Sequence, residues 1–173
     1  MPLFKISGDA SRPQGIGHQI IVHICNDIGA WGSGFVVPLG RRFPMARTQY
    51  LAWNAFYKST SNRIPLGEVQ FVSVAENITV ANMIGQAGIG YSQGQPPIRY
   101  PALKTALATV AKYAQQQKAS LHMPRIGAGR AGGDWQIISS MIETAIAPYG
   151  LDATVYLFDE TTRVPTEPST PSI

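Results

Sequence analysis

Short, β-branched apolar runs at residues 2–7 and 19–25, joined by a Gly/Pro-rich connection at Gly8–Gly17, have the pattern of buried strands. They predict two neighbouring central strands. After a glycine-rich turn at Gly29–Gly34 the spacing becomes helical over 35–42 and 44–58, with Pro44 placed to separate the two helices or open the second. Tyr50, Trp53 and Tyr57 recur on one face of the second helix, as a core-facing stripe would. Residues 67–75 alternate apolar and polar like a half-exposed strand, and 77–84 read as a second strand after a tight turn. A Gly/Pro/Gln-rich stretch, 85–98, precedes a helix over 101–118, in which Leu103, Leu107, Val110 and Ala114 repeat every three or four residues. A strand at 121–124, a glycine-rich loop at 125–134, a helix at 135–147 and a strand at 153–158 follow.

Strands and helices alternate through the second half, which implies an α/β fold: three layers, α/β/α, around a mixed, largely parallel central sheet. With 173 residues the chain is long enough for one substantial core and short for two, so residues 1–159 are expected to form one domain. Residues 160–173 carry three Pro, four Thr and two Ser without apolar periodicity, the composition of a disordered tail. No internal repeat is visible.

Composition narrows the function. Charged residues make up only 14%, against roughly 25% in an average soluble domain, and the net charge is +4, which favours anionic ligands. No Lys/Arg run exceeds the pair Arg41–Arg42, so a basic stripe for nucleic acid is not evident. The lone Cys25 excludes an intrachain disulfide, and three scattered histidines leave no recognisable zinc site. Neither an export signal nor a run approaching the roughly 20 apolar residues of a membrane span is present. The expectation is a cytoplasmic protein without membrane contact, metal or cofactor, and a monomer.

The two glycine-rich loops carry most of the chemistry: NDIGAWGSGF at 26–35, and RIGAGRAGGD at 125–134. Both follow strands, where open α/β sheets place ligands. Successive glycines let main-chain N–H groups converge on one point, so each loop can cradle a phosphate and the pair can clamp a diphosphate. The plainer alternative is that both are tight turns. Gly127, Gly129 and Gly132 also satisfy G-x-G-x-x-G, the dinucleotide fingerprint, with Asp159 as its ribose acid. That reading is rejected, because only one strand remains after the motif where the Rossmann fold needs several βαβ units.

At these loops the chain resembles the macrodomain family over about residues 2–158. Ile6–Ala10 resembles its opening strand and adenine-reading acid; NDIGAWGSGFVVPLGRRFP resembles its ribose-binding loop and helix; MPRIGAGRAGGDWQ resembles its diphosphate loop. The last motif points to the branch containing the terminal ADP-ribose protein glycohydrolase. The resemblance implies that Asp9 accepts a hydrogen bond from the adenine amino group with the Ala10 N–H nearby, although an Asx turn explains Asp9 as well. It implies that Gly32, Ser33 and Gly34 line the distal ribose and its phosphate, and that Gly127, Ala128, Gly129 and Arg130 wrap the diphosphate. Trp31 covers the ribose or caps the core; Asn26 meets the ribose or makes a turn; Phe158 stacks on adenine or packs in the core.

In the glycohydrolase branch a lysine attacks the distal ribose and an aspartate assists. Asp134 is read as that aspartate, with a helix N-cap as its other role. The lysine is missing, since no Lys occurs from Ser59 to Leu103. Gln86 is the nearest polar substitute; it can orient a water or a ribose hydroxyl but is no nucleophile. The implied activity is therefore direct hydrolysis of mono-ADP-ribose from acidic side chains or nucleic-acid ends, without a lysyl intermediate. The partners are ADP-ribose and ADP-ribosylated protein, and the alternatives are a non-catalytic ADP-ribose reader or an ADP-ribose 1″-phosphate phosphatase. His23, Cys25 and His122 read as core or pocket-wall residues.

Overall fold

The computed structural model describes residues 3–158. Asp159 and the tail expected at 160–173 lie outside the described residues. In chain order the elements are β1 (Leu3–Ser7), β2 (Gln19–Asn26), α1 (Val36–Arg42), α2 (Pro44–Ser59), β3 (Val69–Ala75), β4 (Ile78–Gln86), α3 (Tyr100–Gln117), β5 (Ser120–Met123), α4 (Trp135–Ile146), a 3-10 turn at Ala147–Tyr149, and β6 (Ala153–Leu157). Each predicted strand and helix is present within a residue or two of its expected bounds. Pro44 opens α2 at its first turn, where a missing N–H costs nothing.

The strands form one six-stranded sheet in the order β1-β6-β5-β2-β4-β3, parallel throughout except for the antiparallel β3–β4 pair. This corrects one expectation. β2 is central, but β1 is an edge strand, and β6 and β5 lie between the two. An edge strand has one neighbour and a thinner cover, which leaves Phe4 and Lys5 exposed.

The period of two along β2 divides the core between the faces of the sheet. Ile20 and Val22 pack with Ala81 and Met83 beneath α3 and α4, whereas Ile21 and Cys25 face α1 and α2 with Val80 and Ile84. Helices therefore cover both faces, the three-layer arrangement expected. In α4, Ile138, Ile142 and Ile146 recur every fourth residue and are fully buried, each contributing about 1.5–3 kcal/mol of apolar transfer. The predicted stripe on α3 is likewise buried. On α2, Tyr50 is buried while Trp53 and Tyr57 are half-buried against the same cluster. Among the described residues, no helix is long and apolar enough to cross a membrane.

Candidate ligand-binding site

The parallel strands end along one edge of the sheet, and the two glycine-rich loops leave from adjacent strands, β2 and β5. On the other side of β2, the register with β4 slips so that Cys25 faces Ile84 but Asn26 faces Gln86. Gly85 is the extra residue, and a Cβ there would sit 3.1 Å from Ile24. The bulge re-aims the end of β4 and sets Gln86 beside the first loop.

That first loop is held by its own polar residues. The Asn26 amide donates to the Ala30 carbonyl (2.8 Å), while its Oδ1 accepts from the N–H groups of Ile28 (3.1 Å) and Ala30 (3.0 Å). Beneath it the Tyr50 hydroxyl donates to the Asn26 carbonyl (2.6 Å) and accepts from the Gly29 N–H (3.2 Å). Burial pushes the Tyr50 phenol well above its ordinary value, so it stays a donor. Beyond this anchored turn, the N–H groups of Gly32, Ser33, Gly34, Phe35 and Val36 have no acceptor among the described residues.

The second loop has the same division. Gly133 donates to the Gly127 carbonyl (2.7 Å) and Gly132 to that of Gly129 (3.0 Å), which fixes the turn. Gly127 has φ +73°, and a Cβ there would meet side chains of Ile98, Ile138 and Ile24 at 2.8, 2.9 and 3.1 Å. Only glycine fits both the angle and the space. The N–H groups of Gly127, Gly129, Arg130 and Ala131 are left without an acceptor among the described residues.

Three adjoining cavities run along this edge. The first, about 530 Å³, is lined by Asp9, Ala10, Phe35 and Phe158, with Tyr156 behind them. The second, about 270 Å³, has Ser33 and Gly34 on one wall and Gly127, Gly129 and Arg130 on the other. The third, about 250 Å³, is lined by Asn26, Gly32, Ser33, Gln86, Ile89 and Arg130. Neighbouring cavities share wall residues: Gly34 and Phe35 between the first two, Gln86 and Arg130 between the last two. Arg125 also lines the second cavity, stacked over Trp135 at 5.4 Å. The walls of the second and third cavities thus include arginine and no acid, a setting for a multiply charged anion.

Most of the expected site residues meet in this row. Asp9 makes the Asx turn: Oδ1 accepts from the Ser11 N–H (2.9 Å) and Oγ–H (2.7 Å), and Oδ2 has no protein donor among the described residues. Phe158 is 62% exposed, so it is a cavity wall and not core. Trp31, Ala128 and Asp134 line none of the three cavities. Trp31 packs against His23 (5.4 Å) and Tyr50 (5.5 Å), and its buried indole N–H finds no acceptor among the described residues. It caps the core. Asp134 is exposed and accepts from the Gln136 N–H (2.8 Å), so its carboxylate caps α4.

Sequence reasoning passed over several residues that build the site. Tyr50, assigned only to the core stripe, is the anchor of the first loop; a polar handle on a buried aromatic was the available signal. Phe35 walls two cavities. His23, read from the sequence as a core or pocket-wall residue, does line the second cavity, with Nε2 2.5 Å from Asn82 Oδ1, and desolvation pulls its pKa down to about 4, only partly opposed by that hydrogen bond. It is neutral at pH 7. Burial raises the Cys25 thiol far above its ordinary value, which removes it as a nucleophile. Among the described residues no His/Cys/Asp/Glu cluster suits a metal ion.

A six-stranded mixed sheet with glycine-rich loops meeting over one end of it defines a class, and the chain belongs to the macrodomain family. A macrodomain protein from Streptomyces coelicolor is 41% identical, with a TM-score of 0.77 over 90% of this chain and 98% of that one. Closer in sequence is a protein of unknown function from Bacteroides thetaiotaomicron, 46% identical with a TM-score of 0.84, over 90% of this chain and 98% of that chain. Danio rerio chromodomain-helicase-DNA-binding protein 1-like is 30% identical over 164 residues, 88% of this chain. The chain spans only 15% of that protein's length and 19% of its Mus musculus counterpart. The fold, at 15% identity and a TM-score of 0.63, is also that of Thermosipho africanus DarTG in complex with ADP-ribose, over 86% of this chain and 40% of that chain. No family model matches the chain.

Proposed function

We propose that this macrodomain binds ADP-ribose along the three cavities. Adenine stacks on Phe158 with its amino group at the free oxygen of Asp9, the diphosphate lies between the loops, and the distal ribose sits beside Gly32 and Gln86. The observation that carries this reading is the second cavity. Two loops 93 residues apart, taking Gly34 and Gly127 as their markers, wall the same space with main-chain N–H groups that have no protein acceptor among the described residues. Phosphate oxygens satisfy such groups without a cation. The ADP-ribose complex of a fold neighbour supports the same ligand class. Calorimetry with ADP-ribose and ADP tests it, and failure to bind either ends the reading.

The finer reading is turnover. Water adds to the anomeric carbon of the distal ribose, its bond to the acceptor oxygen breaks, and ADP-ribose leaves with a carboxylic acid or a nucleic-acid end as the second product. The support is Gln86, whose amide lines both the diphosphate and the distal cavities and can orient the water. Asp134, assigned as the assisting carboxylate, caps α4 in this structure, so its part in catalysis requires its free oxygen to reach the distal cavity. Release assays on glutamate-, serine- and DNA-linked ADP-ribose decide. Undiminished turnover in Gln86→Ala and Asp134→Asn removes both assignments. Tight binding with no release from any substrate leaves a reader, and release of inorganic phosphate from ADP-ribose 1″-phosphate identifies a phosphatase.

A further inference from the structure

We propose that Asp27 is the positioning residue of the distal-ribose cavity, a buried carboxylate that ties the first glycine loop to the wall carrying Gln86 and Ile89. The inference rests on the ADP-ribose reading above, and deepens it at one end of the ligand. Asp27 itself does not line the cavity. It follows β2 and is only 5% exposed, an expensive place for a carboxylate unless a specific partner holds it. Its N–H donates to the Gln86 carbonyl (3.1 Å), and its Oδ1 accepts from the Gly88 N–H (2.8 Å). The Gln86 side-chain amide reaches the Gly88 carbonyl at 3.4 Å, closing a small ring through Asp27, Gly88 and Gln86. Gly88 has φ +69°, the left-handed conformation through which the chain turns at this point.

The clamp matters because of what lies beyond it. On the far side, the segment is fixed by Ala87 donating to the Pro97 carbonyl (2.9 Å) and Arg99 to that of Gly85 (2.9 Å). From Ile89 to Tyr91 no main-chain N–H is bonded to the protein among the described residues, until Ser92 and Gln95 pair with each other. The Asp27–Gly88 bond is therefore the last anchor before Ile89, the exposed apolar side chain that walls the third cavity. An ion pair does not explain the buried carboxylate: its ion-pair partner among the described residues, Arg63, is 3.8 Å away and its side chain is 66% exposed, where solvent screens it.

The test compares ADP-ribose with ADP, which lacks the distal ribose. Asp27→Ala leaves the Gly88 donor unpaired and is expected to weaken ADP-ribose binding by about tenfold while ADP affinity stays within about threefold. Asp27→Asn keeps an oxygen for the same N–H and is expected to bind ADP-ribose within about threefold of the wild type. Wild-type affinity for ADP-ribose in Asp27→Ala, an equal loss for both ligands, or equal damage in Asp27→Asn would overturn the assignment. Hydrogen exchange on the wild-type protein keeps the test alive if Asp27→Ala does not fold. The Gly88 amide is expected to exchange at least about tenfold more slowly than that of Gly90, and matching rates would overturn the clamp. Wild-type protein that binds neither nucleotide refutes the ligand reading instead, and the Gly88 exchange rate then decides the clamp alone.

Discussion

Gly127→Ala adds a single methyl at the point where the second loop meets the core. At φ +73° an L-residue pays about 1–2 kcal/mol for the left-handed conformation alone. The new Cβ would also lie 2.8, 2.9 and 3.1 Å from the terminal methyls of Ile98, Ile138 and Ile24. One such methyl can swing aside, but three that converge in a close-packed interior cannot do so independently, and overpacking of this kind costs about 1–3 kcal/mol. The expected destabilisation is therefore about 2–5 kcal/mol, a large share of a typical domain's 5–15 kcal/mol. Because the Gly127 carbonyl also accepts from the Gly133 N–H, relief by backbone movement opens the diphosphate turn and weakens ADP-ribose binding too. Gly129→Ala is the control: its Cβ meets nothing within 4 Å and its φ is not left-handed, so stability should hold within about 0.5 kcal/mol. Urea denaturation at unchanged m-value reads both. Equal stability of the two variants would refute the packing argument.

Three other predictions follow from named contacts. Burial holds His23 and His122 near pKa 4, so between about pH 6.5 and 4 the unfolded chain binds protons that the folded one refuses. Stability should be level above that window and fall as pH drops through it, by up to roughly 3 kcal/mol per histidine; unchanged slopes in His23→Gln and His122→Gln would contradict this. Asp134→Ala should cost about 1 kcal/mol by removing the α4 cap, whereas Asp134→Asn, an equally good cap, should cost little, and denaturation midpoints distinguish them. Phe158→Ala should leave stability within about 0.5 kcal/mol, since the ring is mostly exposed, yet weaken ADP-ribose and ADP alike by about 1–3 kcal/mol; intact affinity would remove Phe158 from the adenine wall.

What could be read from the sequence was local. The heptad-like stripe on α3, the proline at the start of α2 and the glycines of both loops each announce a conformation through their own chemistry, and each is found where expected. Partner choice was not legible. Residues 3–7 and 19–26 look alike as apolar runs, and nothing in either states that β6, the last strand among the described residues, inserts beside β1. Trp31 and Asp27 were obscure for a related reason. An indole before a glycine and an acid after a strand fit turns and ligand sites equally, and only the tertiary neighbours, Tyr50 and Gly88, show which contact each one makes.

That hidden partner order is also what turns separate motifs into one site. Parallel strands bring their carboxyl ends to the same edge, about 4.8 Å apart from strand to strand, so the sheet order is a spatial order of the loops that follow. From β1 and β6 come Asp9 and Phe158; from β5 and β2 come the two glycine loops; from β2 and β4 come Asn26 and Gln86. Read along the edge, this sequence is an apolar slot with an acid, then two sets of free N–H groups with arginine, then a small polar chamber. Adenosine, diphosphate and ribose follow in the same order along ADP-ribose, so in the proposed binding mode the sheet order sets the order of the ligand's chemical groups and the loops finish the fit. β3, the antiparallel edge strand, contributes no residue to the three cavities, and substitutions on its exposed face should leave binding untouched.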